Sequence, residues 1–121
     1  MQPDIHRRVQ RYGWDRGVET YAAHWEPVLT RCSRQTVSMA EPRPGGHVLD
    51  VACGAGAATQ LLAERVGPTG EVLGVDLSIE MTRHASERMA EQGMAHARFA
   101  RMDMENLDLP DESQDTVICV L

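Results

Sequence analysis

No segment restricts the fold of this chain more than residues 48–56, VLDVACGAG. The first four of these residues are mostly apolar and predict a buried strand, and Gly54 and Gly56 then form a glycine-rich turn that opens a helix. A second apolar run at residues 71–76 ends in Asp76, twenty residues past Gly56. A strand, a glycine turn, a helix and a second strand in this order are typical of a parallel sheet.

The remainder of the C-terminal part also alternates between strand and helix patterns. Strands are predicted at residues 47–51, 71–76, 97–101 and 115–121, and helices at residues 57–66 and 79–92. Ser78 is expected to cap the second of these helices, with Glu80 in its first turn. The fold class is therefore predicted to be α/β, a Rossmann-like parallel sheet with flanking helices.

The N-terminal part follows a different pattern, and residues 1–44 are predicted to be a helical cap on a domain that covers residues 45–121. Residues 1–16 are polar and are expected to form a loose lead-in. Helical spacing then connects four residues, Val18, Tyr21, Ala22 and Trp25. A second helix is predicted to begin near Pro27 and to present one face made of Val28, Leu29, Cys32, Thr36 and Val37.

The composition excludes several classes of protein. Apolar residues make up 42% and charged residues 25% of the 121 residues, as in ordinary globular domains. No apolar run approaches the ~18 residues of a membrane-spanning helix, and the arginines near the N-terminus precede no apolar segment of a secretory signal. The three cysteines and five histidines lack metal-ligand spacing, so no metal is expected. Reduced thiols and a cytoplasmic location are the expectation.

The charge is distributed unevenly along the chain. The net charge is −6, with seven arginines and five acidic residues in residues 1–46 and five arginines and thirteen acidic residues in residues 47–121. An acidic C-terminal part disfavours a broad phosphate-binding surface, so no nucleic-acid partner is expected.

The sequence stops inside the fourth apolar run. As a buried parallel strand, this run would leave Val117, Ile118 and Val120 at a bare sheet edge, which invites pairing with another chain. We expect the sequence to be the front portion of a longer domain, apparently truncated after the fourth strand. A homo-oligomer that covers the exposed edge is the less favoured alternative.

The spacing of Asp76 from the glycine turn indicates a cofactor that contains adenosine, because a carboxylate there suits the two ribose hydroxyls. A dinucleotide fingerprint requires a third small residue in the position that Thr59 occupies. Asp50, at the cofactor-facing end of the first strand, would repel a pyrophosphate. S-adenosylmethionine is positively charged at its sulfur and its amine, and Asp50 therefore favours it over NAD.

Three segments in order resemble motifs of the class I S-adenosylmethionine-dependent methyltransferases, close to the ubiquinone/menaquinone-type C-methyltransferases. They are residues 48–56, with Ala52 where glycine is common, residues 70–81, and the acidic loop at residues 102–115. The resemblance implies methyl transfer to a small-molecule acceptor by in-line displacement. Two alternatives stay open: a non-catalytic relative that serves as a binding or interaction module, and an NAD-type oxidoreductase.

The resemblance also implies a set of cofactor-binding residues, namely Asp50, Ala52, Cys53, Gly54, Gly56, Asp76, Leu77, Met81, Asp103, Met104 and Cys119. Asp50 would organise the loop and the cofactor amine, although it could instead cap the following helix. Leu77 and Met81 would enclose the adenine ring or ribose, although Met81 could equally be core. Asp103 would accept from the adenine amino group, unless it is only a turn residue.

Other roles follow less directly from the resemblance. Cys119 or Val120 would offer a carbonyl to the amine, and Tyr21 is a candidate lid contact. No catalytic base is assigned; His24 and His47 are conceivable, but surface or core positions are favoured for both. The aromatic residues of the N-terminal part either line an acceptor pocket or pack the cap onto the sheet: Tyr12, Trp14, Tyr21 and Trp25.

Overall fold

The computed structural model describes residues 2–120 and contains one parallel sheet flanked by helices. The N-terminal helices are α1 (Pro3–Thr20), a π-helical turn (Tyr21–Trp25) and α2 (Glu26–Ala40). The sheet part then follows in strict alternation, with β1 (His47–Val51), α3 (Ala57–Val66), β2 (Glu71–Asp76), α4 (Ile79–Glu91), β3 (Ala97–Arg101) and β4 (Thr116–Cys119). None of the helices within residues 2–120 is long and apolar enough to cross a membrane.

The four strands are parallel and lie in the order β3-β2-β1-β4. Asp50 on β1 is in register with Gly74 on β2 and with Ile118 on β4. The chain places β2 and then β3 on one side of β1, and it places β4 on the other side of β1. The carboxyl ends of β1 and β4 therefore flank a crevice, and ligands bind in such a crevice in open α/β sheets. The prediction of an α/β fold with a parallel sheet is confirmed.

The predicted fourth strand is longer than the observed one. β4 ends at Cys119, and Leu121, which the prediction also included, lies outside the described residues. Ile118, expected at a bare edge, is buried in the main core with Val37 of α2, whereas Val117 is on the opposite face and 59% exposed. The continuous apolar run suggested burial on both faces, but the described residues cover only one face of this strand.

Helices α3 and α4 form where the sequence predicts them: α3 begins after Gly56 of the glycine turn, and α4 has a side-chain cap. Ser78 caps α4 by accepting a hydrogen bond from the Met81 amide at 3.1 Å. Met81, Ala85 and Met89 of α4 are buried, and the main core lies between the sheet, α3 and α2. The buried residues of this core are Val37, Val48, Ala58, Leu62, Ala63, Val66, Val72 and Ile118.

The prediction of a loose lead-in at residues 1–16 is wrong. Helix α1 begins at Pro3 and continues to Thr20, and the π-helical turn joins it to α2 without a break. Polar contacts with the sheet part hold α1: Ser78 Oγ donates to Asp15 Oδ1 at 2.6 Å, and Arg7 Nε lies 3.1 Å from Asp103 Oδ2. Such contacts leave no apolar periodicity in the sequence.

The predicted buried face of α2 is also wrong in part. Pro27 is in the first turn of the helix, as expected, but Val28 is 68% exposed. The buried residues of α2 are Glu26, Ser33 and Val37. The π-helical turn contains one residue more than an α-helical turn, which changes the direction in which the side chains of α2 point. As a result Glu26 faces inward, whereas Val28 faces outward.

Candidate functional site

A cleft of about 490 Å³ opens at the carboxyl ends of β1, β2 and β4. Its volume lies within the usual range for small-molecule sites. We call it the main cleft, and its lining residues are Gln10, Trp14, Tyr21, Ala52, Gly54, Val75, Asp76, Leu77, Met81, Met102, Asp103, Met104, Cys119 and Val120. Eight of the eleven predicted cofactor-binding residues therefore share one cleft: Ala52, Gly54, Asp76, Leu77, Met81, Asp103, Met104 and Cys119.

The loop after β1 brings backbone close to this cleft. Gly54 has a φ of +56°, and a Cβ atom there would lie 3.6 Å from the Tyr21 ring. Ala52 also adopts the left-handed conformation, with a φ of +56°. Alanine tolerates this region poorly, which explains why the resembling motif usually has glycine at this position.

Asp76, at the end of β2, is held by two backbone amides. The Gly54 amide donates to Oδ2 and the Ser78 amide to Oδ1, each at 2.9 Å. Each carboxylate oxygen has a further lone pair, so both can still accept from a ligand in the main cleft. The glycine turn and the acidic residue after β2, predicted to act together, are in direct contact.

A second, smaller cavity of about 20 Å³ adjoins the main cleft. We call it the inner cavity; it lies between the N-terminal helices and the end of β1. Its lining residues are Tyr21, Glu26, Leu29, Ser33, Asp50, Ala52, Cys53, Ala55, Ala57, Ala58 and Val120. Three of them, Tyr21, Ala52 and Val120, also line the main cleft, so the two spaces are neighbours.

Asp50 is almost completely buried beside the inner cavity. Thr59 Oγ1 donates to its Oδ2 at 2.6 Å, so Asp50 bonds a side chain of α3 rather than capping the backbone of that helix. Burial raises the pKa of Asp50 to about 7; the Thr59 hydrogen bond opposes this rise and the charge of Asp76 adds to it. The threonine that departs from a dinucleotide fingerprint is therefore the partner of Asp50.

Cys53 and Gly56 occupy structural positions. Cys53 is buried and lines the inner cavity, and burial raises the pKa of its thiol, with the charges of Asp50 and Asp76 adding to the effect. A thiolate nucleophile is disfavoured there. Gly56 lines neither space; its φ is +94°, and a Cβ atom would lie 3.0 Å from the Cβ of Ala85. This glycine permits α3 and α4 to approach each other.

Asp103 lies at the edge of the main cleft and already has a partner. Arg7 of α1 pairs with Asp103 and with Glu105. The Glu105 amide also donates to Asp103 Oδ1 at 2.9 Å, which makes a turn. The adenine-contact and turn interpretations of this residue are therefore compatible, and α1 borders the cleft beside it.

The aromatic residues of the N-terminal part separate into two groups. Trp14 and Tyr21 line the main cleft with their rings perpendicular and their centroids 5.9 Å apart. Tyr12 and Trp25 are exposed and line neither space. His24 and His47 are exposed as well and line neither space, which favours the interpretation of both as surface residues.

Some lining residues were not predicted. Gln10 belongs to the segment expected to be loose, and Glu26 and Ser33 belong to positions expected to be outside the buried face. Met102 is the first residue of the predicted acidic loop, and its apolar character was the available signal. No group of three or more His, Cys, Asp or Glu side chains able to hold a metal occurs within residues 2–120.

Comparison with known proteins identifies the family. A family model described as a methyltransferase domain matches residues 48–121, more than half of the chain. The chain belongs to this family. The matched region contains the sheet, the glycine turn and most residues of the main cleft, so the predicted family is confirmed and the oxidoreductase alternative is not favoured.

Individual relatives agree with the family. The ubiquinone/menaquinone biosynthesis C-methyltransferase of Ectopseudomonas mendocina is 39% identical over 69% of this chain and 33% of its own length. The aklanonic acid methyltransferase of a Streptomyces species is 31% identical over 98% of this chain and 54% of its own length. The structure of an S-adenosylmethionine-dependent methyltransferase from Aquifex aeolicus superposes with a TM-score of 0.66 at 26% identity, covering 72% of this chain and 46% of that one.

These relatives are longer than this chain. It spans about a third to a half of the length of the curated relatives that it matches. The match to the Streptomyces protein extends over the N-terminal helices as well as the sheet. The residues of α1 that line the main cleft and those of α2 that line the inner cavity are therefore within the shared region.

Proposed function

We propose that this chain binds S-adenosylmethionine in the main cleft and serves methyl transfer to a small-molecule acceptor. The observation that carries the proposal is the arrangement of Asp76, a carboxylate fixed by the amides of Gly54 and Ser78 in a cleft of about 490 Å³. Membership of the methyltransferase domain family supports the same conclusion.

The charge of the cleft fits this cofactor. Asp76 and Asp103 line the main cleft, Asp50 lies behind it, and none of the lining residues is an arginine or histidine. A sulfonium with an ammonium group is attracted by such a site, whereas the pyrophosphate of a dinucleotide would face Asp76 and Asp103 with no basic residue in the cleft lining. The electrostatics therefore favour S-adenosylmethionine over NAD.

The individual roles follow from position. Asp76 would accept from the ribose hydroxyls, Leu77 and Met81 would contact the adenosine, and Asp103 would accept from the adenine amino group, with the Met104 backbone beside it. Ala52, Cys53, Gly54 and Gly56 would shape the loop, and Asp50 and the Cys119 carbonyl would serve the amine. Gly56 would act through the α3–α4 contact, because it does not line the cleft.

The bound cofactor would supply an electrophilic methyl group on a positively charged sulfur, and transfer of that methyl group to a nucleophilic atom of the acceptor would release the neutral thioether. The chain's own contribution is to align the acceptor and to exclude water. We propose that residues 1–44 act as a cap over the cofactor domain at residues 45–121, because Gln10 and Trp14 of α1 line the cleft. A cytoplasmic location and a second copy at the outer edge of β4 remain predictions.

Calorimetric titration with S-adenosylhomocysteine and with NAD tests the proposal. We expect binding of S-adenosylhomocysteine and none of NAD. Asp76→Asn removes the negative charge and one acceptor oxygen, so two charged hydrogen bonds to the ribose are weakened, and the affinity should fall about 100-fold.

The matched control is Asp108→Asn, which removes an acidic residue of the exposed loop that lines neither space. This variant should keep the wild-type affinity. Unchanged binding in Asp76→Asn, or preferential binding of NAD, would show that the assigned cofactor site is wrong. Methyl transfer by this chain and by any longer reading frame that contains it then separates an enzyme from a binding module.

A further inference from the structure

The π-helical turn gives two side chains of the N-terminal part a common direction. In an α-helix, residues five apart point about 140° away from each other, because each turn takes 3.6 residues. Here the Glu26 amide donates to the Tyr21 carbonyl, the i→i+5 bond of a π-helix. The wider turn lets both Tyr21 and Glu26 line the inner cavity. Single π turns within helices frequently occur at functional sites.

Glu26 is a buried carboxylate with one oxygen in use. Only 9% of the residue is exposed. Arg88 of α4 donates to Oε1 and also to Gln60 of α3, so the carboxylate is fixed where three helices meet. Its Oε2 is buried and has no hydrogen-bond partner among residues 2–120. Buried charged acceptors are nearly always satisfied, so this oxygen requires an explanation.

The inner cavity has the size and charge of a site for one small cation. Its volume of about 20 Å³ holds a single water-sized group. Its lining residues include two that carry carboxylates, Glu26 and Asp50, and two that carry hydroxyls, Tyr21 and Ser33. No arginine or histidine is among the lining residues, and two carboxylates are fewer than the ligand groups that mark a metal centre within residues 2–120.

A primary ammonium meets these requirements. It is positively charged, it carries three N–H donors, and it is about as large as a water molecule. The inner cavity adjoins the main cleft through Tyr21, Ala52 and Val120, so the end of a molecule bound in the cleft can enter it. A carboxylate or phosphate at the same position would be repelled by Glu26 and Asp50.

We propose that Glu26 Oε2, contributed by the N-terminal helices, is a charged acceptor for the ammonium group of the cofactor, which enters the inner cavity. The proposal rests on the proposed function, since the ammonium belongs to the amino-acid end of S-adenosylmethionine. Tyr21 and Ser33 complete the site with their hydroxyl groups. Arg88 is a positioning residue that holds the other oxygen of Glu26 in place.

The test compares three ligands by calorimetry: S-adenosylhomocysteine, its analogue without the amino group, and 5′-methylthioadenosine. In the wild type, loss of the amino group should weaken binding about tenfold or more, as expected for a buried charged hydrogen bond. Glu26→Gln should weaken S-adenosylhomocysteine binding about tenfold and leave the other two ligands unchanged. Glu91→Gln, at the exposed end of α4, is the matched control and should resemble the wild type.

Each contrary result has a distinct meaning. Equal weakening of all three ligands by Glu26→Gln would show a purely structural role and overturn the proposal, as would equal binding of the two homocysteine ligands by the wild type. Should the wild type bind neither S-adenosylhomocysteine nor 5′-methylthioadenosine, the proposed function itself fails. If Glu26→Gln does not fold, Ser33→Val fills the cavity instead; it should selectively weaken S-adenosylhomocysteine, and an unselective effect would overturn the proposal.

Discussion

The main cleft and the inner cavity are neighbours, but their acidic residues are held in opposite ways. Asp76 of the main cleft is partly exposed, and the backbone amides of Gly54 and Ser78 satisfy its oxygens. Asp50 and Glu26 of the inner cavity are buried, with a single hydroxyl partner for Asp50 and an unpaired oxygen on Glu26. The carboxylate of the cleft is therefore fixed by backbone amides, whereas the carboxylates of the cavity are buried with an incomplete set of hydrogen-bond donors.

The largest expected effect concerns the buried carboxyl group of Asp50 and the free energy of unfolding. Its pKa is about 7 in the folded chain and about 3.9 in an unfolded one. A raised carboxyl pKa stabilises the fold fully below about pH 4, and this contribution disappears as the pH rises through 7. Asp50→Asn should therefore gain about 4 kcal/mol of unfolding free energy relative to the wild type between pH 4 and pH 8.

Urea denaturation at several pH values measures this difference. The side-chain amide oxygen of the Asp50→Asn variant can still accept from Thr59, so the hydrogen bond is not the variable. Asp108→Asn, in the exposed loop, is the control and should follow the wild-type pH dependence. If the unfolding free energies of the wild type and of Asp50→Asn depended on pH in the same way, folding would not raise the pKa of Asp50. The contrast with Asp76 would then be wrong.

The second effect concerns the stability of the turn between β1 and α3. Gly56→Ala places a methyl group 3.0 Å from the Cβ of Ala85 at a φ of +94°, so we expect a loss of about 2 kcal/mol in unfolding free energy. Gly13 lies within α1, and a Cβ atom there would meet nothing within 4 Å apart from the backbone of its own helix. Gly13→Ala should therefore raise the unfolding free energy by about 1 kcal/mol. Equal effects of the two substitutions in urea denaturation would contradict the assigned α3–α4 contact.

The third effect concerns affinity rather than stability. Gly54→Ala adds a methyl group that reaches only van der Waals distance from Tyr21, but it narrows the main cleft beside Asp76. We expect about a tenfold loss of S-adenosylhomocysteine affinity by calorimetry. Gly56→Ala, once folded, should bind nearly normally. An affinity loss in Gly56→Ala as large as that in Gly54→Ala would mean that the two glycines do not have separate roles.

The smallest effect is expected at the outer edge of the cleft. Arg7 is exposed and pairs with Asp103, which is the proposed acceptor for the adenine amino group. Arg7→Gln should raise the affinity for S-adenosylhomocysteine by about threefold or less at low salt, and the difference should vanish at high salt because exposed ion pairs are screened. A large loss of affinity at every salt concentration would instead make the docking of α1 the dominant contribution.

The sheet and the main cleft were predictable because their signals are local. Continuous apolar runs marked β1 and β2, and Asp76 lies 22 residues from its partner Gly54, within one strand–helix–strand unit. The inner cavity was not predictable in the same way. The burial of Glu26 depends on Arg88, which is 62 residues away in the sequence. It also depends on the π-helical turn at Tyr21–Trp25, and the residues of this turn give no sequence signal for it.

Residues 3–16 of helix α1 were not predicted as helix for a related reason. Helix α1 is stabilised by polar contacts such as that between Asp15 and Ser78, and these contacts create no apolar stripe. The fourth strand was predicted too long because a continuous apolar run indicates a strand without indicating how much of it another layer covers. In both cases the missing information was the tertiary neighbour, not the local preference.

The two amides on Asp76 have a consequence for the thermodynamics of binding. A free aspartate side chain loses rotamer freedom when a ligand immobilises it, and that loss reduces affinity. At Asp76 the amides of Gly54 and Ser78 impose this loss of conformational entropy during folding. The unfavourable entropy of binding at the ribose end should then come from the ligand and from ordered water, with little contribution from the protein.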